Sequence, residues 1–240
     1  METVEKLREI IAHTENLVFF GGAGVSTESG IPDFRSVDGL YHQQWDYPPE
    51  TILSHTFFQR NPEEFYRFYR AKMLCDTAKP NAAHKYLAHL EKEGKLKAVI
   101  TQNIDNLHQM AGSRKVLELH GSVYRNHCTK CGAFYDFSYV KQSSGMPRCE
   151  MIKPDVVLYE EALDPKVLSE AVHAISEADV LIIGGTSLSV YPAASLIDDF
   201  RGRYLVVINK DRTPRDRIAD LVINAPIGEV CRYLEEKRTE

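Results

Sequence analysis

No stretch of the chain approaches 18 uninterrupted apolar residues, so no membrane span is expected. The opening residues, METVEKLREI, lack an apolar run leading to a small-residue cleavage site, so no secretory signal is expected either. Neither sign of charge is in large excess. Lys and Arg number 29 against 34 Asp and Glu, and a net charge of −5 argues against a dedicated nucleic-acid binder. Cysteines are few and odd in number, five, which in an unexported chain means reduced thiols or metal ligands rather than disulfides. Internal repeats and low-complexity tracts are absent, and the composition excludes collagen-like, disulfide-scaffold and disordered classes. These absences leave an ordinary globular protein with a cytoplasmic address. Its 240 residues are enough for one sizeable core carrying a smaller insertion.

What is present is an alternation of apolar strands and amphipathic helices. Val4, Leu7, Ile10 and Ile11 recur at helical spacing, predicting a helix over 2–13. A buried strand follows at 16–20. Residues 36–60, rich in Gly, Pro, His and aromatics without a clear period, read as a long loop. Helices are expected over 62–74, where Pro62 and two glutamates open the first turn, and after Asn81, which can cap it, as far as Gly94. A strand at 97–101 comes next. Residues 116–160 then interrupt the alternation with cysteines, glycines and short β-prone pieces, which marks an insertion. Helix 166–178, strand 180–183, a short helix 192–200, strands 204–208 and 221–224, and a helix 228–237 complete the chain. Such alternation predicts an α/β protein with a parallel sheet covered on both faces, whose ligand site lies at the carboxyl ends of the strands. The residues there, Gly21 onward, Gln102 onward, Gly184 onward and Asn209 onward, are small or polar, as a shared small-molecule site requires.

Gly21-Gly22-Ala23-Gly24 after the first strand reads as a phosphate-cradling turn, with free N–H groups at the start of a following helix. The usual dinucleotide fingerprint is incomplete. Thr27 stands where its third glycine belongs, and no acidic residue closes a second strand about 20 residues on. Asp33, Arg35 and Asp105 are charges among small or apolar neighbours. They read either as loop hydrogen bonding or as contacts to an amide, a ribose or a phosphate.

Cys128-x-x-Cys131, followed by Cys149, has the spacing of a structural zinc site; the competing reading is three structural thiols. A fourth ligand at matching spacing would fall at Ile152, which cannot bind metal, leaving Glu150, His127 or a residue elsewhere as candidates. Cys75 and Cys231 read as small core residues. Of nine histidines, His120 stands out by position, between the Gln-Asn-x-Asp turn and the cysteine module, where an imidazole could take a proton from a hydroxyl. His84, His89 and His108 fall on helices and read as structural.

Gly22-Ala23-Gly24-Val25-Ser26, Gly30-Ile31-Pro32-Asp33-Phe34-Arg35, Thr101-Gln102-Asn103-Ile104-Asp105, His120-Gly121, Lys153-Pro154-Asp155-Val156-Val157 and Gly185-Thr186-Ser187-Leu188 occur in the order found in the sirtuins. The chain resembles this family of NAD-dependent protein lysine deacylases, bacterial type, from about residue 5 to residue 235. The resemblance implies a Rossmann-like NAD-binding domain (1–120 and 156–240) and a small zinc-ribbon domain (121–155) with a cleft between them. It implies NAD contacts from Ala23, Gly24, Thr27, Phe34, Arg35, Gln102, Asn103, Ile104 and Asp105, with Thr186, Ser187, Asn209 and Ile227 at the adenosine half. His120 would be the general base. An acetyl-lysine peptide would run as a strand between Val156-Val157 and Leu188-Ser189-Val190, and zinc would be held by Cys128, Cys131 and Cys149. The products would be nicotinamide, deacylated lysine and O-acyl-ADP-ribose.

Two departures from the family pattern carry expectations. Relatives that take succinyl or malonyl groups have a Tyr-x-x-Arg pair that falls here at Tyr66 and Tyr69, so a neutral acyl group is expected. The fourth cysteine of the family is missing. Rival readings are mono-ADP-ribosyl transfer and a non-catalytic NAD-sensing or zinc-ribbon module. A monomer satisfies everything in the sequence.

Overall fold

The computed structural model describes residues 2–33, 45–143 and 151–238. Five-residue apolar runs such as Leu17–Gly21 (β1) and Val180–Gly184 (β7) are buried along their whole length, as expected of strands with cover on both sides. Their side chains alternate between two cores. Leu17 and Phe19 enter one with Val180 and Ile182, while Val18 and Phe20 enter the other with Leu181 and Ile183. Each of the two phenylalanines is wholly buried and contributes about 2–3 kcal/mol.

With β2 (Leu96–Thr101), β3 (Val116–Glu118), β8 (Tyr204–Ile208) and β9 (Leu221–Ile223), these strands form a six-stranded sheet in the order β3-β2-β1-β7-β8-β9, parallel throughout. The chain runs outward from β1 to one edge, then returns to β7 and runs to the other. The strand order therefore reverses between β1 and β7, the place where open α/β sheets bind ligands. On one face lie α1 (Glu2–Ala12), α5 (Ala82–Lys92) and α9 (Ile227–Arg238); on the other lie α8 (Pro165–Ser176) and a 3₁₀ segment, Ala193–Asp199.

Helix boundaries follow local chemistry. Asn61 caps α4 (Pro62–Lys72), Asp164 caps α8, and Asn81 and His84 form a reciprocal capping box on α5. Three sequence expectations change in detail. The segment read as loop contains two short helices, α2 (Pro49–Ile52) and α3 (His55–Arg60), the second capped by Ser54. Helices of four and six residues are too short to show a period. Residues after Gly24 form two single 3₁₀ turns, Ala23–Val25 and Thr27–Ser29, ended by Gly30 at φ 85°, rather than one helix. The expected helix at 192–200 is the 3₁₀ segment already described.

A second, three-stranded antiparallel sheet, β5-β4-β6, is built from Gly121–Cys128 (β4), Phe134–Tyr135 (β5) and Ile152–Val156 (β6), with α7 (Phe137–Gln142) beside it. Its core also takes Ile52, Phe58, Phe65, Phe68 and Tyr69 from α2 to α4. In packing, residues 52–74 thus go with 123–158 rather than with the six-stranded sheet.

Candidate functional site

At the switch point the loops after β1 and β7 cross in backbone contact. The Gly22 N–H donates to Gly184 O at 3.3 Å and the Gly24 N–H to Gly185 O at 2.8 Å. A Cβ on Gly24 would stand 2.8 Å from Gly185 Cα, and one on Gly185, at φ 58°, would stand 2.4 Å from the Val25 nitrogen. Glycine is required at both positions for this crossing. The Gly24 amide is thus engaged inside the protein, and Gly24 offers a ligand bare backbone rather than a free donor.

Three loops meet through side chains just beyond the strand ends. The Ser26 hydroxyl, 1% exposed, donates to Asp105 Oδ2 at 2.6 Å and accepts from Asn103 Nδ2 at 3.0 Å. The other Asp105 oxygen accepts the Leu107 N–H at 3.0 Å, where α6 (Leu107–Ala111) begins. Burial pushes the Asp105 carboxyl above its usual range, opposed by the Ser26 hydroxyl and by backbone donors. Gln102 Nε2 donates to Thr186 Oγ1 at 3.1 Å, and the same oxygen accepts the Leu188 N–H at 3.2 Å. Leu188 is held at φ 54°.

His120 lies between β3 and β4. Its Nδ1 donates to the Gln102 carbonyl at 2.9 Å, which fixes the neutral tautomer with Nε2 as the free base. Burial lowers its pKa from the ordinary imidazole value, with the Gln102 carbonyl opposing. The His120 carbonyl in turn accepts the Val157 N–H at 3.0 Å, and the Ile104 carbonyl accepts the Val123 N–H at 3.1 Å. The ends of β2, β4 and β6 are therefore tied together at His120.

The structure thus joins Gly24, Gln102, Asn103, Ile104, Asp105, His120, Val157, Thr186 and Leu188 into one bonded neighbourhood. Ala23 and Thr27 sit on its rim, half-buried and exposed; Thr27 Oγ1 donates to the Gly24 carbonyl at 3.1 Å. Val156 is buried, paired with Gly121, while Ser187 is exposed and Val190 half-buried along the loop after β7. Asn209 and Ile227 lie towards β8 and α9. The Asn209 N–H donates to Ile223 O, and Ile227 packs so closely on Gly184 that a Cβ there would stand 2.3 Å from its Cδ1. Phe34 and Arg35 fall outside the described residues. Two residues with no expected role at the site carry much of the geometry. Ser26 joins the β1 and β2 loops, and Asn81 Nδ2 donates to Val25 O at 2.7 Å and Ser29 Oγ at 3.0 Å. Their local signals were a hydroxyl in a glycine turn and a helix cap, neither of which names a distant partner.

In the smaller sheet, β4 ends at the buried Cys128, and the chain turns through Cys131 to Gly132 at φ 71°. The Gly132 N–H donates to Cys128 O at 3.0 Å. Such a turn has the shape that the two-thiol half of a tetrahedral site would need. Cys149 and Glu150 lie outside the described residues, and among the described residues no group of three or more His, Cys, Asp and Glu converges on a metal position. His127, considered as a ligand, instead pairs Nδ1 with Asp155 Oδ1 at 2.8 Å. Cys231 is a core residue, its thiol pushed up by burial, whereas Cys75 is half-buried just beyond α4.

A doubly wound sheet with a glycine crossing at its switch point, and a neutral imidazole among polar loops, defines a nucleotide-binding α/β protein with a candidate general base. Known proteins resolve the class further. The Sir2 family matches residues 22–192. An NAD-dependent protein deacetylase of Clostridium perfringens is 58% identical over 95% of this chain and 97% of its own, and one of Cutibacterium acnes is 54% identical over 94% and 95%. A Sir2 enzyme structure superposes at a TM-score of 0.87 with 42% identity, covering 100% of this chain and 99% of its own. A Sir2 structure bound to an acetylated peptide superposes at 0.86 with 38% identity over 98% of each. The chain belongs to the Sir2 family. Among the described residues no helix is long and apolar enough to cross a membrane.

Proposed function

We propose that this protein is an NAD-dependent protein deacetylase, releasing nicotinamide and deacetylated lysine and forming O-acetyl-ADP-ribose. The observation that carries the reading is His120, whose Nδ1 donates to Gln102 O and leaves Nε2 as a base beside the switch point. Bound NAD supplies an electrophilic ribose carbon whose nicotinamide departs as a neutral base. The chain's residues do the rest. Asp105, oriented by Ser26 and Asn103, accepts the nicotinamide amide together with backbone at Ile104. Gln102 and His120 face the ribose, where Nε2 takes a hydroxyl proton. Ala23, Gly24 and Thr27 receive the pyrophosphate, with Phe34 and Arg35 at the nicotinamide-ribose end. Thr186, Ser187, Asn209 and Ile227 receive the adenosine half.

The acetyl-lysine peptide enters as a strand between Val156-Val157 and Leu188–Val190. The 1–120/156–240 and 121–155 division, with residues 52–74 of the first segment packing on the smaller sheet, the cytoplasmic address and the monomer belong to the same reading. The Cys128–Cys131 turn fits half a zinc site, and Cys128, Cys131 and Cys149 would hold a structural ion that stiffens the small sheet. The reading is tested by incubating the protein with NAD and an acetyl-lysine peptide. His120→Ala is expected to lower turnover about 10²–10⁴-fold while NAD still binds. ADP-ribose appearing on protein without deacetylation would favour mono-ADP-ribosyl transfer instead.

A further inference from the structure

Beneath the site lies a polar contact that the reaction does not use. His84 on α5 and His108 on α6 are wholly buried, and their rings pack at a 59° tilt with centroids 4.7 Å apart. His84 Nδ1 stands 3.3 Å from the Asn81 backbone nitrogen and 3.0 Å from Asn81 Oδ1, so the helix cap holds the ring in either tautomer. Nε2 of His84, both nitrogens of His108 and the hydroxyl of the adjacent Ser113 are buried with no partner among the described residues. Orphaned polar atoms at full burial are costly where an apolar ring would pack, so their retention asks for a role.

Their connections give one. From His84 the path runs through Asn81, whose amide holds Val25 O and Ser29 Oγ on the glycine loop. From His108 it runs one residue back to Leu107, whose N–H is held by Asp105, and from Asp105 to Ser26 on the same glycine loop. Val25 and Ser26 are neighbours, so the path closes on itself. We propose that His84 and His108 are positioning residues: packed ring against ring and joined through one bound water, they close a ring through Asn81, Val25, Ser26 and Asp105. The ring fixes the separation between the β1 glycine loop and the Asp105 carboxylate, and thereby the affinity for the nicotinamide end of NAD. The inference rests on the reading above that both loops face NAD.

The ring makes a split prediction. His108→Phe keeps an aromatic ring in the core but removes both nitrogens, whereas His108→Gln returns a polar group at similar reach. The phenylalanine variant is expected to raise the KM for NAD and the inhibitory concentration of nicotinamide about tenfold, with the KM for peptide unchanged; the glutamine variant should recover most of this. Should His108→Phe fail to fold, Asn81→Asp keeps the helix cap and removes both amide donors to the glycine loop, and the same rise in NAD KM is expected. An unchanged KM for NAD in a folded His108→Phe or Asn81→Asp protein overturns the ring. Equal impairment by phenylalanine and glutamine also overturns it, since packing alone would then explain the site. A parent protein that consumes no NAD refutes the functional reading itself, a separate outcome.

Discussion

Replacing Ser26 by alanine removes one oxygen from the place where the β1 and β2 loops meet. The hydroxyl is almost wholly buried, donates to Asp105 at 2.6 Å and accepts from Asn103 at 3.0 Å. Alanine leaves the carboxylate short of a charge-assisted donor and the Asn103 amide short of an acceptor, and no side chain of similar size takes their place. Hydrogen bonds to charged groups are worth about 1.5–3 kcal/mol. At this chain length, about 2 kcal/mol lowers the melting temperature by about 4–8 °C. The Ser26 hydroxyl also opposes the upward push of burial on the Asp105 carboxyl. Its loss raises that pKa further, so the carboxylate becomes protonated at a higher pH on the acid side. Melting curves, together with the KM for NAD measured across the acid limb, report both effects. The expected result is a lower melting temperature and a rise in NAD KM that sets in at higher pH than in the parent. A melting temperature within about 1 °C of the parent, with the NAD KM unchanged at every pH, would refute the reasoning.

Burial lowers His84 to about 4 and His108 to about 3, against 6.5 for an ordinary imidazole. Between these values the unfolded chain binds more protons, so stability is full above about pH 6.5 and falls as the pH drops, by up to about 1.4 kcal/mol per pH unit for each histidine. Urea unfolding at pH 7.5, 6 and 5 should show this slope, and His108→Phe should flatten it. Gly121→Ala should destabilise the protein by about 3 kcal/mol or more, because φ is 77° and a Cβ would stand 1.7 Å from Asp155 O; unchanged denaturant midpoints would contradict this. Tyr69 is wholly buried on α4, and the family resemblance would put the arginine of members that take acidic acyl groups at this position. Acetyl-lysine should therefore be cleaved much faster than succinyl-lysine, and equal rates would count against that assignment.

Strand alternation, the insertion and the carboxyl-end location of the site were legible in the sequence because each rests on local period or on a motif. Leu17–Gly21 and Val180–Gly184 were visible as short apolar runs, and His120 by its place between motifs. What escaped depends on chain crossings. Gly24 reads as a phosphate donor until Gly185 is found 161 residues on, taking its N–H. Ser26 reads as one hydroxyl among several until Asp105, 79 residues away, is found to accept from it. Asn81 was visible as a helix cap, but nothing local shows that its remaining amide protons reach back to Val25 and Ser29. The two short helices at 49–60 escaped for a different reason, being one or two turns long. The absent third glycine of the fingerprint also gains a physical account. After Gly24 the chain makes two 3₁₀ turns tied to Asp105 and Asn81, not a long helix packed on the sheet, so no close helix–strand approach at Thr27 demands glycine.

The central claim is that His120 is the base of a reaction coupling NAD cleavage to removal of an acetyl group. The most direct test is the product ratio from NAD and an acetyl-lysine peptide, followed by mass spectrometry. The account predicts nicotinamide, deacetylated peptide and O-acetyl-ADP-ribose in equal amounts, with the coupled reaction lost in His120→Ala. Deacetylation without nicotinamide release, or full activity in His120→Ala, would contradict it.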